Sequence, residues 1–317
     1  MANENTARTA STFGTARASA SASPAPSARK TPARANRRAP RSARLALAIP
    51  AVLFLLAFMV VPMALLVVIS FQDAGASAFT VERYANLLTS PTYLTDIVVT
   101  LGVALLTTAL VLLLAYPAAS LLVNAKRKWV RTLLYVVLVS PLLTSVVVRS
   151  FAWVVMLSQN GLVNQLLETF GIIDEPLTLL WNMGAVVLAY VQVLLPFAVL
   201  PLTTSLGEVR PQLRQASMSL GAGRARSFFS VVLPLTIPGA VNGGVIVFSL
   251  TAGSYITPLL IGGGTQPILP LAIYQQAIQI SDLNMAAAMA VVLLVLVVAI
   301  ILPVEFFLKR WEAKIYG

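Results

Sequence analysis

Six stretches of this 317-residue chain are each long and apolar enough to cross a bilayer: about 45–71, 97–123, 132–157, 181–205, 237–261 and 285–308. A hydrocarbon core about 30 Å thick takes about 20 apolar residues per helix, and a spanning helix satisfies its own backbone there. The centres of these stretches carry almost no charge. The expected fold class is therefore all-α: a polytopic membrane protein with six transmembrane helices. Prolines fall inside several spans, at Pro62, Pro117, Pro141, Pro196 and Pro258. Membrane helices tolerate them where neighbours re-satisfy the freed carbonyl. Composition points the same way: 58% of residues are hydrophobic and only 10% charged, against roughly 25% charged in soluble domains.

The net charge of +11 suggests nucleic acid until the charges are placed. Nine of the 22 basic residues lie in residues 1–44. With the N-terminus cytoplasmic, the tail, loop 124–131, loop 206–236 and the C-terminus 309–317 together hold 20 of the 22. The opposite loops keep only Arg83 and most of the acids: Asp73, Glu82, Asp96, Glu168, Asp174, Glu175 and Asp282. This is the positive-inside pattern, so both termini are expected in the cytoplasm, and no nucleic-acid partner is expected.

The expected organisation follows. Residues 1–44, rich in Ala, Ser, Arg, Pro and Thr with Glu4 the one acid, read as a disordered basic tail drawn to anionic lipid. A transit peptide shares that composition. The first span, 45–71, has 27 residues, too long for a cleaved signal. An extracytoplasmic loop covers 72–95, and a core of five further helices covers 96–308.

Several chemistries are excluded. There is no cysteine and no histidine, so disulfides, thiolate metal sites, His-ligated zinc and a Ser-His-Asp triad are ruled out. Gly-Lys never occurs, which removes the GxxxxGK[ST] phosphate loop. No carboxylate sits at the centre of a span and no inverted repeat is evident, which weighs against an ion-coupled secondary transporter. Two charges do lie within spans. Glu305 can snorkel beside Lys309. Arg149, in Ser145-Val-Val-Val-Arg149-Ser-Phe-Ala-Trp153, either marks a functional site or snorkels to the interface beside Trp153.

The most informative loop is 206–236. At about 30 residues it exceeds a plain connector. Pro211 suits a helix N1 position, and Leu213, Ala216, Met218 and Leu220 give a short, partly apolar helix. Gly221 and Gly223 permit a bend. A second helix is expected from about Arg224, with Phe228, Val231 and Val232 on one face, and Pro234 and Pro238 at the entry to the fifth span. Such a surface either docks into a partner's groove or lies on lipid.

This stretch resembles the EAA loop of permease subunits in binding-protein-dependent ABC importers. The family pattern is Glu-Ala-Ala, a spacer, Gly, nine residues, then Ile-x-Leu-Pro. Here it reads Gln215-Ala216-Ser217, Gly221 and Val231-Val232-Leu233-Pro234. Gln215 and Ser217 depart from the pattern, which removes a possible salt bridge to the ATPase. Further segments resemble the spermidine/putrescine permeases: Tyr116-Pro117-Ala118-Ala119, Asn160-Gly161-x-x-Asn164, Phe170-Gly171-Ile172-Ile173-Asp174, Leu195-Pro196-Phe197 and Ile256-Thr257-Pro258-Leu259.

The resemblance implies a type I importer permease fold in a bacterial inner membrane, and a transport subunit rather than an enzyme. It implies two ABC ATPase subunits, a second permease (a paralogue) and an extracytoplasmic solute-binding protein as partners, besides membrane lipid. ATP and Mg belong to the ATPase, with no cofactor on this chain. It implies a polyamine as solute, the alternatives being an amino-acid-like compound, a phosphonate or a metal complex. The coupling residues would be Gln215, Ala216, Ser217, Leu220, Gly221, Phe228, Val231, Leu233 and Pro234. For the pathway, aromatic faces and uncharged oxygens suit a cationic solute. That selects Trp153, Tyr190, Gln192, Ser254, Tyr255, Thr257 and Tyr274, with helix packing as the plainer role of each. Arg149 joins them as a charge that would repel a polycation if it faced the pathway.

Overall fold

The computed structural model describes residues 41–73 and 76–316. The tail expected over 1–44 lies outside the described residues up to residue 40. Its last four residues instead open the first helix, α1 (Arg41–Phe71). The chain divides within α1 into two compact units, residues 1–55 and 56–317. In the first, Val52, Leu53, Phe54 and Leu55 stand exposed, as befits an apolar helix made for lipid or a partner. Everything below concerns the second unit.

A short antiparallel hairpin, β1 (Gln72–Asp73) with β2 (Ala76–Phe79), follows α1. Then come α2 (Glu82–Thr89) and α3 (Pro91–Asn124). The loop expected over 72–95 is thus largely built. Asp96, expected outside the spans, lies inside α3 and is 7% exposed. Next are α4 (Lys128–Val139), a 3₁₀ turn (Ser140–Leu143), α5 (Val146–Leu157), α6 (Leu162–Thr169) and α7 (Met183–Glu208). The rest comprises α8 (Pro211–Ser219), α9 (Arg224–Ser227), a π turn (Phe228–Val232) and α10 (Leu233–Ala252), then α11 (Ile256–Leu260), α12 (Leu269–Tyr274), a second π turn (Gln275–Ile280) and α13 (Leu283–Tyr316). Six helical stretches among the described residues are long and apolar enough to cross a membrane.

Three expectations change. The third span, 132–157, is not one helix but α4 and α5 with a break between them. The fifth, 237–261, ends at Ala252, so that Pro258 lies in the separate α11. The C-terminal segment 309–317 continues α13 as far as Tyr316.

The core is formed by α3, α7 and α10. Val111, Ala115, Ala119 and Leu122 of α3 pack with Val186, Ala198, Val199 and Leu202 of α7 and Val247 of α10. In lipid the hydrophobic effect does not drive helices together, so close approach through small side chains has to.

The break in the third span is bridged by side chains. Pro141 has no N–H to give the Val137 carbonyl. The Ser140 hydroxyl donates to that carbonyl instead, at 3.0 Å. The Thr144 hydroxyl donates to the Ser140 carbonyl at 3.3 Å. The Arg149 guanidinium donates to the Pro141 carbonyl. Three side chains thus reach carbonyls at the break. At the second break, Tyr190 Oη donates to the Ser254 carbonyl at 3.1 Å. Farther along, the Leu269 N–H that opens α12 is received by Thr100 Oγ1 at 2.8 Å.

The 158–180 segment is held by one side chain. Asn164, 1% exposed, accepts the Leu177 N–H at 3.0 Å and donates to the Leu177 carbonyl at 2.9 Å, and also reaches the carbonyls of Ser158 and Gln159. Asn164→Ala removes four hydrogen bonds made by one buried side chain, each worth about 0.5–1.5 kcal/mol. The expected result is a folded bundle whose 158–180 segment is cut by protease many times faster than in the wild type. Equal cleavage rates would remove Asn164 from this role.

Candidate functional site

The docking loop is built from its two glycines outward. Pro211 stands at the start of α8, where its missing N–H costs nothing. Gln215 and Ala216 lie on the exposed side of that helix and Ser217 is half-buried. The helix ends in a Schellman motif: Ala222 N–H bonds the Ser217 carbonyl at 3.2 Å and Gly221 N–H bonds the Met218 carbonyl at 3.0 Å. Gly221 takes φ +85°, the left-handed conformation this motif demands of its closing residue. A Cβ there would meet nothing within 4 Å, so the glycine is required by the turn and not by crowding within the chain. Leu220 at the tip is 89% exposed.

The second half departs from expectation. There is no separate second helix and no fresh entry at Pro234. Helix runs from Arg224 through the π turn to Ala252 without interruption. In the π turn the Leu233 N–H reaches the Phe228 carbonyl, five residues back, just ahead of Pro234, which has no N–H to offer. Leu233 and Pro234 open α10 itself, and Val231 is half-buried. The Phe228 ring turns inward, edge-on to Tyr116 with centroids 6.1 Å apart. Tyr116 and Thr236 share a hydroxyl contact of 3.2 Å, which ties α3 to α10 behind the loop. A cavity of about 640 Å³ lies between the loop and the ends of α3 and α7, with Asn124, Arg210, Arg214, Gln215, Arg224 and Phe228 on its wall. The nine expected loop residues therefore divide into an exposed tip and a root that is continuous with the fifth span.

The eight expected pathway residues resolve into three groups. Arg149, Tyr190, Ser254 and Thr257 line one cavity of about 410 Å³. Its wall also includes Leu142 and Thr144 from the first break and Gly253 from the second. Two interrupted helices thus meet at one cavity. Trp153 Nε1 donates to Gln192 Oε1 at 3.4 Å. Tyr255 stacks on Tyr274 with centroids 5.0 Å apart and planes 15° apart. Sequence reasoning missed Tyr116 and Thr236, whose pairing spans 120 positions and leaves no local signal. It also missed that Pro141 breaks its helix.

Residues 111–315 match the family described as the binding-protein-dependent transport system inner membrane component. The chain belongs to that family. Among relatives of this inner membrane component, the spermidine/putrescine transport system permease protein PotB of Escherichia coli (strain K12) is 33% identical over 215 residues, covering 68% of this chain and 78% of that protein. The molybdenum transport system permease protein ModB of Mycobacterium bovis (strain ATCC BAA-935 / AF2122/97) is 30% identical over 225 residues, covering 70% and 82%. A chain of a bacterial alginate ABC transporter, solved in complex with an alginate pentasaccharide-bound periplasmic protein, shares the fold. Its TM-score is 0.68 at 20% identity, over 85% of this chain and 94% of that one. This inner membrane component is the transmembrane permease subunit of an ABC importer, a multi-pass membrane protein and a transport component rather than an enzyme.

Proposed function

We propose that this permease imports a polyamine of the spermidine/putrescine kind, and that the 410 Å³ cavity between the two helix breaks lies on the solute's path. The likeness to PotB carries the solute. The convergence of two interrupted helices on one cavity supports the path, since irregular backbone at membrane depth is tolerated where it lines such a space. Ser254, Thr257 and Tyr190 offer uncharged oxygens and an aromatic face, chemistry that suits an ammonium group.

The 206–236 loop is the coupling element. Two ATPase subunits, which hold the ATP and Mg, receive its exposed tip: Gln215, Ala216, Ser217, Leu220 and Gly221. Phe228, Val231, Leu233 and Pro234 carry their motion into the fifth span. A second, paralogous permease completes the pathway and an extracytoplasmic binding protein delivers the solute. The distribution of basic residues supports cytoplasmic termini. ATP then biases a two-state bundle between outward and inward access.

The test is uptake of labelled spermidine and putrescine in cells with the chain, with its Gly221→Asp variant or with neither, before and after ATP depletion. Uptake that needs both the intact chain and ATP is expected. Equal uptake in all three strains removes the polyamine reading. Since ModB is a relative as well, molybdate is the next solute to try.

A further inference from the structure

We propose that Arg149 is a positioning residue and not a solute ligand: its guanidinium latches the break in the third span by donating to the Pro141 carbonyl. The proposal rests on the permease reading of the cavity that Arg149 borders.

The argument starts from the helix dipoles. Arg149 lies in the first turn of α5, its N–H bonded to the Ser145 carbonyl at 3.0 Å. A cation at the positive end of its own helix is disfavoured. Its side chain runs back to the preceding 3₁₀ turn, where carbonyls present negative partial charge. The Pro141 carbonyl has need of a donor, because its backbone partner, Thr144 N–H, is at a long 3.4 Å. The guanidinium bridges eight positions and closes the gap between α4 and α5.

No carboxylate lines the 410 Å³ cavity, so among the described residues around it the backbone is what engages the charge. A guanidinium held in this way keeps its full charge but is tethered to the turn. The tether limits, without cancelling, its repulsion of a cationic solute. The same contact fixes the position of Leu142 and Thr144, which form the cavity wall on the side of the break.

The chain has no cysteine, so a single introduced thiol reports cleanly. Leu142, in the 3₁₀ turn, lines the cavity, where an aqueous reagent can reach it. The experiment follows maleimide labelling of Leu142→Cys in membranes that hold the complete transporter, with Arg149, R149K or R149Q. Losing a charge-assisted hydrogen bond frees the turn, so R149Q is expected to label about ten-fold faster. R149K keeps the charge but donates from one point, and is expected to fall between. In uptake, R149Q is expected to lower the maximal rate about ten-fold with KM within about two-fold of wild type.

Equal labelling in the Arg149 and R149Q backgrounds overturns the latch. So does an R149Q chain with an unchanged maximal rate and a lowered KM for the cation, the result of a charge filter. Should R149Q fail to insert, R149K carries the comparison, and wild-type labelling by R149K overturns the proposal. Labelling needs no solute, so it stands even where the wild type takes up no polyamine, a result that would remove the solute reading alone.

Discussion

A Gly221→Asp chain is expected to insert at wild-type levels and to import no solute. Two properties of Gly221 produce that split. At its φ of +85° any side chain is strained, Asp and Asn least of all, by roughly 1–2 kcal/mol, so the Schellman turn is weakened while the membrane bundle is left alone. A Cβ there meets nothing within 4 Å, so the fold has no steric reason to fail. The new carboxylate therefore leaves the membrane bundle intact and projects from the loop tip, beside the exposed Leu220 proposed above to enter the ATPase. A charge taken out of water there without a partner costs several kcal/mol, enough to abolish docking. Gly221→Asn separates turn from surface: it closes the same turn without the charge and is expected to retain part of the uptake. Co-purification of the ATPase with each variant reads docking directly. Full uptake and full ATPase recovery from Gly221→Asp would take the loop tip out of the coupling path.

Much of this permease was legible because hydrocarbon leaves the backbone few options. A 20-residue apolar stretch there has to be a helix. The loop was legible in its turn chemistry, since Pro211 and Gly221 are set by backbone geometry alone. The break at Pro141 was not. Pro117, Pro196, Pro201, Pro238 and Pro303 all sit inside continuous helices. Proline by itself therefore does not decide between kink and break. What distinguishes Pro141 is its company: Ser140, Thr144 and Arg149 each take one of the carbonyls the break leaves open. That company is visible in the sequence only once the break is known. The grouping of Arg149 with Tyr190, Ser254 and Thr257 is harder still, because it depends on which faces of three apolar helices turn toward one another. Helices that are apolar on every side give no periodic signal of facing.

Gly243→Val is expected to destabilise the bundle strongly. Gly239 and Gly243 are one turn apart on α10 and face α7. A Cβ at Gly243 would stand 2.8 Å from the Cα of Ala198, whereas one at Gly239 would meet the Ser205 side chain first, with the Pro201 carbonyl oxygen 2.9 Å away. The obstacle at Gly243 is backbone, which cannot swing aside as a side chain can. Gly244, the next residue, faces α3, where a Cβ would sit 3.4 Å from Leu112 Cδ1 and 3.5 Å from Thr108 Cγ2. That is tight but yielding, since both are ends of side chains. A graded series follows. Gly244→Ala costs under about 1 kcal/mol, and Gly243→Ala about 1–3 kcal/mol as α7 and α10 separate. Gly243→Val, with two further methyl groups and a β-branch, goes beyond that range. Thermal unfolding of the three variants in detergent gives the order, and equal midpoints for Gly243→Val and wild type would mean the seam is not close-packed. The seam also bears on transport. The coupling loop's second half is continuous with α10, and α10 is braced on α7 here. A loosened seam therefore lets the loop move without moving the cavity wall. Gly243→Ala, still folded, is then expected to keep ATPase binding while losing uptake, whereas Gly221→Asp loses both.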